Sequence, residues 1–128
     1  MNMMNMALIL PIAAGGAIGA VGRYLMGATM LRYAGAGIPY GTLAVNVLGS
    51  LLIGLLAGYF MREGVEVKPT MQAFLITGIL GGFTTFSAFS LETVTLLQRG
   101  DMLAALAYVT ASLLLCVLAC GIGFAVIK

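Results

Sequence analysis

Histidine and tryptophan are missing from this 128-residue chain, and charged side chains make up only 8% of it. Without an imidazole no Ser/His/Asp arrangement can be assembled, and the commonest metal-ligand clusters are excluded with it. No phosphate-cradling Gly-rich loop with its lysine is present, so nucleotide hydrolysis has no foothold. The chain is read as a non-enzyme. A net charge of +2 is too small to suggest nucleic acid as a partner. Cysteine is scarce too: Cys116 and Cys120 stand one helical turn apart in an apolar segment. Disulfide frameworks belong to small secreted domains, so these two read as packing or weakly polar groups.

What is there in abundance is apolar: 62% of the residues are hydrophobic, whereas a soluble domain carries about 25% charged residues. A bilayer core about 30 Å thick is crossed by roughly 20 apolar residues in a helix. Four segments qualify, approximately 8–31, 43–61, 73–97 and 102–127. The connections are short and hold nearly all the remaining charge, so residues 1–128 form a single four-helix transmembrane domain. Residues 1–7 contain no Lys or Arg, and the apolar run behind them is longer than a signal peptide's core. The first segment is therefore expected to be a retained span, with Pro11 near its start where a missing N–H does little harm.

Positive residues in short loops stay cytoplasmic. Four spans put both termini on one side, with Arg62, Lys68 and Lys128; Arg23, Arg32 and Arg99 fall towards the other. The tie predicts a chain that inserts both ways, so that oppositely oriented copies pair; a weak bias resolved by lipids is the plainer alternative. Small residues mark where helices approach closely, as at Gly15/Gly19 and Gly54/Gly58. Four spans are few for enclosing a pore, which favours a dimer.

Polar residues inside the spans fall into register. Thr42, Asn46 and Ser50 are spaced by four on the second span, and Tyr108, Ser112, Cys116 and Cys120 repeat that spacing on the fourth. Such stripes serve either as glue between helices or as the lining of a path for a small anion that accepts hydrogen bonds. The third span carries Gly81-Gly82-Phe83-Thr84-Thr85-Phe86-Ser87-Ala88-Phe89-Ser90. A glycine pair followed by alternating hydroxyls and phenyl rings predicts an interruption at residues 81–84, tolerated at membrane depth only where protein buries it or it lines a cavity. Carbonyls released there would suit a hard cation. Phe86 and Phe89 share a face, and a ring edge is electropositive.

The 81–90 run resembles the GGxTTFSTFS signature of the Fluc fluoride channels, the CrcB family; Ala88 stands where many members carry Thr or Ser. The likeness continues through residues 19–23, the GTLAVN stretch at 41–46 and Glu92-Thr93. It implies an all-α membrane protein whose third helix is broken mid-membrane, assembled as an antiparallel dual-topology homodimer with two pores. Fluoride would be its cargo, exported passively across a prokaryotic cytoplasmic membrane. By the same resemblance, Gly81 and Thr84 would offer backbone carbonyls to a structural sodium ion at the dimer interface. Phe86 and Phe89, with Asn46, Thr85, Ser87, Tyr108 and Ser112, would border the fluoride path. Cys116 and Cys120 stand where family members can carry hydroxyl residues, and Arg23 would sit near a vestibule.

Two charges leave alternatives open. Arg23 either snorkels to the headgroups or forms a positive funnel. Glu92 needs a proton or hydrogen-bonding partners on a neighbouring helix, because lone intramembrane carboxylates are expensive. The rival reading is a small dual-topology drug/proton antiporter, which would place a carboxylate in its first span. Here the first span carries Arg23 and no acid.

Overall fold

The structure, a computed structural model, describes residues 4–127. Residues 1–3 and Lys128, one of the basic residues in the charge tie, lie outside that range. Asn5 caps a short 3₁₀ turn, Met6–Leu8, by accepting from the Ala7 N–H at 3.1 Å. The chain then continues into helix α1, Ile9–Ala34, and after a turn into α2, Tyr40–Phe60. The third span is composite: α3, Pro69–Gln72, a π-helical stretch Ala73–Leu80, α4, Gly81–Phe83, and α5, Phe86–Gln98. Helix α6, Met102–Ile127, completes it.

Four helical stretches are thus long and apolar enough to cross a membrane: Met6–Ala34, Tyr40–Phe60, Pro69–Gln98 and Met102–Ile127. Even the shortest, at 21 residues, reaches across a core about 30 Å thick at a rise of about 1.5 Å per residue. The expected spans differ from these by a few residues at most ends, and the fourth begins where it was expected. Leucines such as Leu10, Leu103 and Leu106 face outward, because lipid removes any penalty for exposing them. At the end of α5, Gly100 takes φ 81°, and the N–H groups of Gly100 and Asp101 bond to Leu97 and Leu96. That left-handed residue closes the helix and turns the chain directly into α6.

Two glycine seams order the bundle. Helix α1 lies against the π stretch and α4, and α2 lies against α6. Gly15 and Gly19 are buried, and a Cβ on either would run into the carbonyl oxygens of Phe74 and Ile79. The partner surface answers in kind: a Cβ on Gly82 would come within 2.6 Å of the Gly16 carbonyl. In the second seam Gly54 abuts the Cys120 carbonyl, and a Cβ on Gly123 would sit 2.5 Å from the Leu51 carbonyl. Association in lipid depends on such packing, since lipid tails are as apolar as leucine.

These contacts predict that Gly54→Leu destabilises the protein by about 1–3 kcal/mol or more, as overpacking does. Gly121→Ala, where a Cβ meets open space, should be neutral or up to about 1 kcal/mol stabilising, because alanine is the better helix former. Denaturant titration in detergent reads both, and an unchanged Gly54→Leu variant would remove the seam from the account.

Candidate functional site

The chain leaves helical geometry directly after α4, at Thr84. The Leu80 carbonyl accepts from both the Thr84 N–H at 3.0 Å and its hydroxyl at 2.9 Å. Thr84 (φ −84°, ψ 156°) and Thr85 (φ −152°, ψ 118°) are then extended. The Thr85 hydroxyl restarts the helix by accepting from the Ala88 N–H at 3.1 Å, which is how an N-cap satisfies an orphan donor.

Asn46 on α2 holds this bend from the side. Its Oδ1 accepts from the Thr85 N–H at 2.8 Å, and its Nδ2 donates to the Thr85 carbonyl at 3.0 Å. One amide thus replaces the helical acceptor of the Thr85 N–H and adds a second donor to its carbonyl, which as the N-cap of α5 already accepts the first intrahelical bond; the two opposite partner types fix which way the amide faces. A second consequence concerns carbonyls. In an unbroken helix Gly81 and Thr84 would accept from the N–H groups of Thr85 and Ala88, but those donors are turned to Asn46 and to the Thr85 hydroxyl. Gly81 itself is helical (φ −62°, ψ −38°), so the glycine pair does not form the interruption expected at 81–84. Glycine permits irregular backbone without demanding it, and at Gly82 the missing Cβ serves the α1 seam instead.

A cavity of about 380 Å³ opens beside the bend. It brings together Asn46, Gly81, Thr84, Thr85, Phe86, Phe89, Ser112 and Cys116 of the expected site, with Ser50 from the same stripe as Asn46. Apolar side chains, among them Ile53, Leu80 and Val117, complete its wall. Phe86 and Phe89 stand with centroids 5.3 Å apart and planes tilted by 50°. Their settings differ: Phe86 is 73% exposed and Phe89 only 9%. The Ser112 hydroxyl is buried and has no hydrogen-bond partner among the described residues.

Other expected site residues lie away from that wall. Tyr108 is 1% exposed; its hydroxyl donates to Glu92 Oε2 at 2.7 Å, and its ring stacks at 5.3 Å on Phe89. Thr42 donates to the other oxygen, Glu92 Oε1, also at 2.7 Å. The carboxyl group therefore has partners on two neighbouring helices, α2 and α6. Thr42 was visible in the sequence as part of a stripe but not as Glu92's partner, because residues fifty apart carry no local signal of contact. Arg23 turns inward: its Nε donates to the Gly82 carbonyl at 3.0 Å. Ser87 is exposed beside the Thr85 hydroxyl, and the Cys120 main chain packs on Gly54. Ser90 and Thr93 bond back to the carbonyls of Phe86 and Phe89 on their own helix, a common way of hiding a hydroxyl in an apolar setting.

Residues 10–124 match the model of the family described as CrcB-like protein, Camphor Resistance (CrcB). The chain belongs to the CrcB family. Among curated relatives, a protein of Rhizobium meliloti named "Fluoride-specific ion channel FluC" is 52% identical over 120 residues, covering 94% of this chain and 95% of the relative. Proteins of the same name from Agrobacterium fabrum and Rhodospirillum centenum are 49% and 48% identical over 123 residues, covering 96% of this chain and 95% and 97% of theirs. This CrcB chain therefore matches relatives named as ion channels over nearly its whole length, and every residue of its candidate site lies inside residues 10–124. The family is one of ion channels, not of enzymes.

Proposed function

We propose that the protein is a fluoride-selective channel that lets fluoride leave a bacterial cell passively across the cytoplasmic membrane, working as an antiparallel, dual-topology homodimer. The observation that carries this reading is the convergence of Asn46, two phenyl rings and an unpartnered serine hydroxyl on one cavity beside an extended pair of threonines. Thr84 and Thr85 fall at the centre of the 30-residue stretch Pro69–Gln98, which supports a break at mid-membrane depth. Its relatives carry the name of fluoride-specific channels.

Fluoride is small and strongly hydrated, so a path for it must replace water with donors that do not hold it too tightly. The second Nδ2 hydrogen of Asn46, left over after the Thr85 carbonyl is served, is one such donor. The Ser112 hydroxyl is another. The electropositive edges of Phe86 and Phe89 add weaker contacts. Several modest sites favour both entry and exit, whereas one tight site would trap the ion. Phe86, next to the buried Phe89, is 73% exposed in the single chain, which supports a second copy as the covering partner.

A structural sodium ion fits the oxygen set available. Gly81 and Thr84 would hold it through their carbonyls, both relieved of their helical donors, and a second copy would bring the oxygens to four; hard cations take such ligands. When bound, the ion supplies a fixed positive charge. The Gly82 carbonyl is not a further ligand, since the Arg23 guanidinium occupies it.

Protein reconstituted in liposomes loaded with fluoride should release it rapidly once a potassium ionophore dissipates the potential, as read by a fluoride electrode. Chloride-loaded vesicles should stay sealed. Fluoride retention in the presence of ionophore would sink the reading, and transport driven by a proton gradient alone would favour the antiporter.

A further inference from the structure

We infer that Gly49 is a positioning residue for the bend beside the ion path: the Cβ it lacks leaves a seat on α2 for the methyl of Thr84, and that seat holds the Thr84 carbonyl in place; this rests on the sodium and conduction readings above. Gly49 is buried in α2, three positions after Asn46 and on the same face. It borders the cavity together with Thr84. A Cβ on Gly49 would run into Cγ2 of Thr84, whereas the next atoms, Phe83 Cδ2 at 3.5 Å and Thr84 Cβ at 3.7 Å, are in ordinary contact. The conflict is with one methyl group. The rest of Thr84 is already committed, since its N–H and its hydroxyl both donate to the Leu80 carbonyl, at 3.0 and 2.9 Å. A β-branched side chain has few χ1 choices. With the hydroxyl tied to Leu80 and the methyl seated on Gly49, both branches are fixed, and the carbonyl is left over because its helical donor, the Ala88 N–H, is turned to the Thr85 hydroxyl. Asn46 grips Thr85, so the two α2 residues divide the extended pair between them.

Binding groups work only when their supporting residues hold them to within about 0.5 Å of the productive geometry. Carbon atoms in contact settle at about 3.5–4.0 Å, so alanine at position 49 must push Thr84 further than that. A backbone carbonyl cannot swing back on its own, as a side-chain ligand can. Thr84→Ser deletes Cγ2 but keeps the hydroxyl and its bond to Leu80. With the methyl gone, a Cβ at position 49 would find its nearest neighbours at 3.5 and 3.7 Å. The fit is therefore reciprocal: the harm done by adding a methyl on α2 is undone by removing one at the bend. Gly58 supplies the contrast, being buried in the same helix with a Cβ position 2.9 Å from the Phe124 carbonyl, away from the residues that border the cavity. Alanine there strains the bundle without touching the bend.

The test is a double-mutant cycle on the full-length protein, read in two ways. One readout is the sodium concentration that half-saturates the rise in thermal unfolding midpoint in detergent, with N-methylglucamine as the replacing cation; the other is fluoride efflux from liposomes. Gly49→Ala is expected to raise the half-saturating sodium concentration and to slow efflux, each by at least about tenfold, the scale of an overpacked contact. Thr84→Ser alone leaves the seat empty and should raise half-saturating sodium about two- to fivefold, as a missing methyl does. Added to Thr84→Ser, Gly49→Ala should change either readout by less than about twofold. Gly58→Ala should lower the unfolding midpoint and leave half-saturating sodium where it was. The inference is overturned if Gly49→Ala binds sodium and conducts like wild type, if Thr84→Ser gives no relief, or if Gly58→Ala weakens sodium equally. Should Gly49→Ala give no folded protein, Thr84→Ser alone decides, and unchanged half-saturating sodium there overturns the inference. Wild type that conducts but ignores sodium would overturn the sodium reading, and the efflux cycle would decide for Gly49. Wild type that responds to sodium but does not conduct would overturn the conduction reading, and the sodium titration would decide.

Discussion

Asn46→Ala is expected to abolish fluoride efflux and to lower stability by about 1–3 kcal/mol, because it orphans the Thr85 N–H. The Thr85 N–H and carbonyl bond to the two ends of the Asn46 amide, but the carbonyl, at the N-cap of α5, also accepts the first intrahelical bond. The Thr85 N–H has no helical acceptor to return to without straightening the bend. If the helix did straighten, the Thr85 N–H and the Ala88 N–H would go back to the carbonyls of Gly81 and Thr84. The oxygens proposed to hold sodium would then be consumed. Loss of one side chain on α2 should therefore remove a proposed anion donor and also disturb the proposed cation site on another helix.

The aspartate variant separates these effects. A carboxylate at position 46 still accepts from the Thr85 N–H but cannot donate to its carbonyl, so Asn46→Asp should recover part of the stability. It should not recover efflux, since it offers fluoride a negative charge in place of a donor. Denaturant titration in detergent and liposome flux, run on the same preparations, give the two readouts. An alanine variant that is stable and conducts fully would show that the amide clamp is dispensable.

The spans were legible because their signal is compositional and long. Runs of apolar residues between charged turns have few alternative readings, and the register of Thr42, Asn46 and Ser50 survives as one face of α2. The interruption was harder to place. Glycines 81 and 82 looked like the weak point, yet they stay helical, and at Gly82 the lack of a Cβ is used against α1. Thr85 is bent by a partner 39 positions away in sequence, and no local pattern announces such a partner. The π-helical stretch Ala73–Leu80 was not anticipated either; its widened turns lie against Gly15 and Gly19, contacts that no local sequence pattern announces. Tyr108 shows the same limit. Its place in a stripe suggested a pore-facing hydroxyl, but the strongest acceptor within reach is Glu92, and the pair meets only in the folded bundle.

Replacing the rings should expose a division of labour between them. Phe86→Ile is expected to cut efflux by at least about tenfold while changing the stability of the solubilised chain by less than about 0.5 kcal/mol, as exposed substitutions do. At 73% exposure this ring has few protein contacts to lose, so its effect must come through the ion path or the covering copy. Phe89→Ile should reduce efflux similarly but cost about 1–3 kcal/mol as well, because an ill-fitting side chain in a packed core strains its neighbours. Phe89 is wedged between Phe86 and Tyr108, with both ring centroids at 5.3 Å. Behind Tyr108 stand Glu92 and then Thr42 on α2, so a loosened Phe89 also loosens the hydrogen bonds that tie three helices together. Isoleucine is bulky enough to keep the space filled but has no electropositive edge to offer an anion. Both variants should still assemble, which crosslinking in the membrane would report. Full conduction in both would mean that the rings pack the bundle and do nothing for the ion.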